Sequence, residues 1–193
     1  MEKRTFKLTL LLLLIVGTAF GQKNRKNKDL ERGYAFDGGS FVISAATGFF
    51  GHNYGYGKLG GAPFKLTTEV GVHRYVGIAL YGGLLHRDPV WGENSYQMDI
   101  YTGGGHLNFH LYNLVDDLFK KNLRGDIIDV YITGTVGFDY FDTTLPLREK
   151  YAVYYTAGLG VRAYPIKKAP GLGFNMEFSN ILSPWLLGIN YRF

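Results

Sequence analysis

Apolar and polar side chains alternate along most of the chain after residue 40. The clearest case covers residues 185–193, where every second residue, beginning with Trp185, is aromatic or aliphatic. Small or polar residues, Gly188, Asn190 and Arg192, lie between the last four of these apolar residues. Because successive side chains of a β-strand point to opposite faces, this pattern predicts strands with one apolar face and one small or polar face.

Eight segments of this kind are separated by turn-rich stretches. They cover about residues 40–50, 64–72, 76–86, 96–111, 127–141, 151–164, 171–179 and 185–193. The fourth segment changes phase, because Met98 and Ile100 lie on one parity whereas Tyr101 and Leu107 lie on the other. A bulge between Tyr101 and Gly105 is therefore expected, since one extra residue would return both halves to the same face.

The start of the chain follows a different pattern. Lys3, Arg4 and Lys7 precede an apolar run over residues 8–20 that ends in small residues. This arrangement predicts a secretory signal peptide over residues 1–21, whose apolar run is too short to span a bilayer as a helix. The chain contains no cysteine, so the sequence predicts neither a lipid-anchored cysteine nor disulfides.

The last segment resembles the closing strand of bacterial outer-membrane β-barrels, and the eight segments together resemble the small OmpA/OmpX/OmpW-type members of that group. The resemblance implies an all-β fold, an eight-stranded antiparallel transmembrane β-barrel with up-and-down meander connections. In that family the assembly machinery reads a terminal Phe preceded by apolar residues. The residues that match this assembly signal are Trp185, Leu187, Ile189, Tyr191 and Phe193.

The resemblance also divides the chain and places it. After the signal peptide, residues 22–39 form a charged periplasmic lead-in and residues 40–193 form the barrel, closed because an open edge in lipid would leave backbone groups unpaired. The expected location is the outer membrane of a Gram-negative bacterium. The expected partners are outer-membrane lipid and, during biogenesis, the barrel assembly machinery and periplasmic chaperones. We expect a monomer. We also expect no binding to nucleic acid, because the formal net charge of +5 includes the basic signal residues.

Composition leaves one other class open. The chain has 15 tyrosines, 14 phenylalanines and 27 glycines, and its mean hydropathy is −0.05. These values suit a barrel with aromatic girdles at both membrane interfaces, but they also suit an aromatic-rich secreted β-sandwich. The apolar faces of the fifth, seventh and eighth segments oppose the sandwich.

One periplasmic connection is longer than the family pattern. Residues 112–126 predict a short amphipathic helix between the fourth and fifth strands. This helix would lie either against the membrane surface or under the mouth of the barrel, and we favour the second position.

Charged side chains fall on the inward parity of several strands. The interior of an eight-stranded barrel is just wide enough for side chains, so charges there must pair. We expect Glu177 to bridge Arg162 and Arg192, because its strand lies between theirs. The predicted lumen charge network is Glu69, Arg162, Glu177 and Arg192, and the same parity also carries Lys65, Asp129 and Asp139. Structural pairing is preferred to acid/base catalysis.

Two apparent motifs carry no chemistry. Residues 55–60 match the G-x-G-x-x-G spelling, but Pro63 and a strand follow where a dinucleotide site needs a helix. His106 and His110 are about 13 Å apart along one strand, too far to ligate one metal ion. We therefore expect no catalytic residue, metal site or cofactor.

Three functions remain compatible with this architecture. The leading interpretation is a non-enzymatic integral barrel that supports the membrane or presents surface loops. The alternatives are a channel for small solutes or hydrophobic molecules and a lipid-modifying barrel enzyme. Conductance in planar bilayers would identify the channel, and altered lipid A in a deletion strain would indicate the enzyme.

Overall fold

The computed structural model describes residues 35–48, 58–59, 61–88, 90–91, 94–119, 127–144, 149–166, 168–179 and 181–193. The expected signal peptide, most of the lead-in and most of the glycine-rich residues 55–60 lie outside the described residues. The alternating segments form strands because each places apolar side chains on one face and small or polar side chains on the other.

Eight long strands and one helix make up the framework. They are β1 (Phe41–Gly48), β2 (Phe64–His73), β3 (Val76–Asp88), β4 (Met98–His110), α1 (Leu111–Phe119), β5 (Ile128–Thr143), β6 (Tyr151–Ala163), β7 (Leu172–Phe178) and β8 (Trp185–Arg192). Two-residue strands add to it: Lys58–Leu59 pairs with the end of β3, and Val90–Trp91 pairs with Asn94–Ser95.

Each long strand pairs antiparallel with its neighbours in the chain, and the first strand pairs with the last. In this closing pair Val42 lies opposite Arg192, and Gly48 lies opposite Leu186. The sheet is therefore a closed eight-stranded meander barrel, which confirms the expected fold. Both Phe41 and Phe193 lie at one end of the barrel, here called the proximal end; the other end is called the distal end.

The outer surface of the barrel is apolar. The outward side chains that form this apolar belt are Ile78, Leu80, Leu84, Leu107, Phe109, Ile132, Val136, Phe138, Val153, Leu159, Phe174, Leu187 and Ile189, all of them exposed. Tyrosine rings follow one another across strands towards the distal end, with centroids 6.2 Å apart for Tyr101–Tyr140 and 5.1 Å for Tyr140–Tyr151. At the proximal end the rings of Tyr191 and Phe193 pack edge to face.

The expected bulge in the fourth strand is wrong. β4 keeps one register with both β3 and β5 along its whole length. Met98 and Ile100 point inwards and are buried, together with His106 and His110 further along. The apparent change of phase arises because the inward face itself changes from apolar at the distal end to polar towards the proximal end.

The described part of the connection between β7 and β8 folds into the barrel mouth instead of projecting from it. Ile181, Leu182 and Ser183 are buried, and the first two pack into the distal mouth of the barrel against Leu85 and Ile100. This packing removes from water an apolar surface that would otherwise be exposed at the distal mouth.

Candidate functional site

Four ionisable side chains meet inside the proximal half of the barrel, and all are buried. Arg162 donates through Nη2 to Glu69 Oε2, and its Nη1 lies 3.5 Å from Asp129 Oδ2. His110 lies between the same two carboxylates, with Nδ1 2.8 Å from Asp129 Oδ1 and Nε2 3.1 Å from Glu69 Oε1. We call these four residues the proximal charge cluster.

The geometry of this cluster favours a doubly protonated His110. Both ring nitrogens of His110 face carboxylate oxygens, and an ionised carboxylate only accepts hydrogen bonds. Ionised carboxylates beside Arg162 would therefore accept one hydrogen bond from each ring nitrogen of a His110 imidazolium. Two positive and two negative charges would then balance one another, which satisfies the requirement that buried charges be paired.

Register and small residues build the cluster. Asp129 lies directly opposite Arg162 across β5 and β6, and Tyr131 stacks its ring 4.4 Å from the guanidinium. Gly160 leaves the space that the Tyr131 ring occupies, since a Cβ there would overlap the ring. Gly77 does the same for the carboxylate of Glu69. The absence of side chains at these two glycines therefore makes room for larger groups at the same level.

A second buried ion pair joins strands that are not neighbours. Lys65 Nζ on β2 lies 2.6 Å from Glu177 Oε1 on β7, and Ser179 donates to the same carboxylate oxygen over 3.1 Å. The expected bridge from Glu177 to Arg162 and Arg192 is wrong. On the two strands between them, the residues in register with Lys65 are Ala46 and Gly188, whose small size leaves room for Lys65 to reach Glu177.

Arg192 lies at the proximal rim. Its Nη2 donates to the carbonyl oxygen of Pro170 over 3.3 Å, and its guanidinium stacks 4.6 Å from the Tyr164 ring. Of the four residues assigned to one network from the sequence, the structure thus brings Glu69 and Arg162 together and places Glu177 in a separate pair.

Hydroxyl and imidazole groups fill the middle of the lumen. His106 Nδ1 lies 2.5 Å from Thr135 Oγ1, and the ring stacks on Tyr81 with centroids 4.3 Å apart. A cavity of about 10 Å³ is lined by His106, Lys65 and Glu177 among others. A space of this size accommodates about one water molecule. Among the described residues, no group of three or more His, Asp or Glu side chains is arranged to hold a metal ion.

The proximal opening is closed by a residue that sequence reasoning missed. Phe36, just before β1, is fully buried and stacks on His110 with ring centroids 3.5 Å apart and planes 9° apart. Asn113 of α1 donates from Nδ2 to the Phe36 carbonyl oxygen over 2.8 Å. The sequence signal was the short apolar stretch Ala35-Phe36 at the end of an otherwise charged lead-in.

The residues predicted as an assembly signal share the outer face of β8 and the chain end. All five are exposed, from 40% for Leu187 to 56% for Ile189. The last of them, Phe193, donates its backbone N–H to the Phe41 carbonyl oxygen over 2.9 Å. Their role in assembly stays a prediction, because a position on the outer face is compatible with any apolar partner.

The fold and the lumen together define the class: a closed eight-stranded β-barrel with an apolar exterior and a filled, largely polar interior. No protein-family model matches the chain, and no curated protein is similar to it in sequence. Among the described residues, no helix is both long and apolar enough to cross a membrane.

The solved structures to which the chain is similar include bacterial outer-membrane proteins and a designed transmembrane β-barrel. The outer membrane protein OprG from Pseudomonas aeruginosa is similar with a TM-score of 0.54 and 13% identity, over 82% of this chain and 97% of OprG. Ail of Yersinia pestis is similar with a TM-score of 0.46 and 14% identity, over 80% and 97%. At these identities the OprG comparison shows the fold, and function must be argued from the lumen and the surface.

Proposed function

We propose that this protein is an integral barrel of the bacterial outer membrane with a non-enzymatic role, supporting the membrane or presenting its distal loops. One observation carries the proposal: side chains fill the lumen from end to end. Phe36 covers the proximal opening, paired charges and hydroxyls occupy the middle, and Leu182 with its apolar neighbours closes the distal mouth.

The exterior supports a place in a lipid bilayer. In water, an exposed apolar surface that encircles a protein would be an aggregation liability, and monomeric soluble proteins rarely carry one. The apolar belt, with tyrosine rings towards its distal end and Tyr191 and Phe193 at its proximal end, is typical of a barrel that spans the membrane. Outer-membrane lipid is then the permanent partner of a monomer, and the assembly machinery and periplasmic chaperones are its transient partners.

Two features oppose the alternative functions. A cavity of about 10 Å³ gives no path to a solute, and opening one would require buried ion pairs to separate. A catalytic carboxylate needs a proton or a substrate to act on, whereas both carboxylates of the proximal charge cluster are held by Arg162 and His110.

The proposal is tested first in planar bilayers. The purified mature chain is expected to insert without producing conductance steps, because the described side chains fill the lumen. Reproducible single-channel steps from the unmodified protein would establish the channel function instead. A deletion strain should also retain unaltered lipid A, and a changed acyl or sugar pattern would favour a lipid-modifying enzyme.

The location is tested separately by fractionation. The chain should appear in the outer-membrane fraction and migrate differently on a gel with and without boiling, since a folded barrel resists detergent. Recovery in the soluble periplasmic fraction without such a shift would favour the secreted sandwich.

A further inference from the structure

Helix α1 is anchored to the barrel by its polar side. Asn113 is fully buried and donates from Nδ2 to the carbonyl oxygens of Phe36, over 2.8 Å, and Arg74, over 2.6 Å. One turn later Asp117 accepts a hydrogen bond from the Tyr75 hydroxyl and lies 3.2 Å from Arg74 Nη1. These contacts fix the rotation of the helix about its axis.

The opposite side of the helix is apolar and exposed. Val115, Leu118 and Phe119 are 37%, 68% and 64% exposed, and their spacing of three and four residues places them on one face. A helix at the surface of a soluble domain normally turns its apolar stripe towards the core and its polar side to water. Here the arrangement is reversed, so the apolar face of α1 requires a partner outside the barrel.

The position of α1 and the charged residues next to it indicate which partner covers its apolar face. α1 starts at the residue after β4, whose last outward side chains, Leu107 and Phe109, belong to the apolar belt. The helix therefore begins at the proximal border of the surface that the proposed function assigns to lipid. In the sequence, Lys120 and Lys121 follow it directly. Apolar side chains next to basic residues are typical of helices that lie in the headgroup region.

We propose that the apolar face of α1, formed by Val115, Leu118 and Phe119, inserts into the periplasmic leaflet of the outer membrane beside the proximal rim. The inference rests on the proposed membrane location and adds a second lipid contact to the belt. Because Asn113 also holds Phe36, the same helix links the leaflet to the residue that closes the proximal opening.

The test uses single cysteines carrying an environment-sensitive fluorophore, which the absence of native cysteine permits. Leu118→Cys reports on the helix, Ile132→Cys reports on the apolar belt, and Lys168→Cys reports on an exposed proximal turn. Each mature protein is folded into phosphatidylethanolamine–phosphatidylglycerol vesicles. Quenching is measured with spin-labelled lipid and with aqueous iodide.

The label at 118 is expected to be quenched by spin-labelled lipid several-fold more than the label at 168, and to resist iodide. Equal iodide access at 118 and 168, with lipid quenching intact at 132, would overturn the inference while leaving the barrel in the membrane. Loss of lipid quenching at 132 would instead overturn the proposed membrane location.

A second variant separates insertion from folding. Val115→Ser with Phe119→Ser removes apolar surface but leaves the anchors at Asn113 and Asp117 unchanged. The heat-dependent gel shift should persist, while the label at 118 moves towards the iodide access of the label at 168. If iodide shielding at 118 occurs in cell envelopes but not in vesicles, a protein rather than lipid covers this face and the inference is wrong.

Discussion

At the residue scale, the ion pair between Lys65 and Glu177 offers the sharpest test of the lumen. Both side chains are buried and the atoms lie 2.6 Å apart, so removing one charge leaves the other unpaired. We expect Lys65→Met to lower the free energy of unfolding by about 3–5 kcal/mol, less where lumen water reaches Glu177. The measurement is reversible urea unfolding in lipid vesicles.

The double variant Lys65→Met/Glu177→Gln is the matched control for that pair. Because it leaves no charge unpaired, it should cost less than the sum of the two single changes, which demonstrates the coupling. Additive costs would show that the two residues act independently. A Glu177→Gln variant with full stability but a lost activity on lipid or solute would show that the carboxylate is functional.

The protonation of His110 is a second expectation at this scale. Both its ring nitrogens face carboxylates, whereas Nδ1 of His106 faces the hydroxyl oxygens of Thr133 and Thr135. Nitrogen-15 spectra of histidine-labelled protein at pH 7 should therefore show two protonated ring nitrogens for His110 and one for His106. An unprotonated nitrogen at His110 would contradict the charge balance of the proximal cluster.

The sequence predicted which charges point inwards, but it did not predict their partners. Parity follows from the period of two, so Glu69, Arg162 and Glu177 could all be assigned to the lumen. Partners depend on the stagger between strands and on the side chains of the strands between them. Lys65 and Glu177 meet across two strands whose residues in register with Lys65, Ala46 and Gly188, are small, and no local pattern predicts that arrangement.

At the scale of elements, the strands and α1 could be predicted because each has its own periodicity. The predicted bulge in β4 was wrong for a physical reason. If the whole lumen is assumed to be polar, apolar Met98 and Ile100 must lie on the outer face, and only a change of phase would then place them there. The inward path of Leu182 and the cap formed by Phe36 also escaped prediction, since a loop residue carries no period from which its direction follows.

The assignment of the outer face of the strands to lipid is tested by placing arginine at two outward positions. Ile132 lies on β5 between Phe109 and Leu159 of the belt, whereas Tyr151 lies in the distal tyrosine row. Ile132→Arg should cost about 2–4 kcal/mol of unfolding free energy in vesicles, and Tyr151→Arg only about 0–1 kcal/mol near the interface.

Both positions in this comparison are exposed, so packing does not confound it. Thr133 would be a poor control, because it is 1% exposed and contacts His106, so that arginine there would disrupt the lumen. Equal costs at Ile132 and Tyr151 would show that the belt does not lie at the centre of the bilayer.

At the scale of the whole molecule, closure depends on the two ends of the chain. β1 and β8 pair over residues 42–48 and 186–192, so the barrel cannot close until the last strand is present. Phe36 and α1 act at the same end, because Asn113 bonds the Phe36 carbonyl oxygen and Phe36 covers His110. The proximal end therefore combines strand closure, the lumen seal and the charge cluster within one set of contacts.

At Phe193, an effect on the stability of the folded barrel can be distinguished from an effect on its assembly. Its ring is 50% exposed, and its loss removes one backbone hydrogen bond to Phe41, worth about 1 kcal/mol. We expect deletion of Phe193 to reduce the amount of the protein in the outer membrane severely, while the purified chain still folds into vesicles with nearly unchanged unfolding free energy.

Phe64→Ser is the control for this deletion, since Phe64 is 52% exposed on β2, away from the chain end. Quantitative immunoblots of membrane fractions make the comparison. Normal accumulation of the truncated protein, or an equal loss for both variants, would show that the terminal residue is not read as a signal.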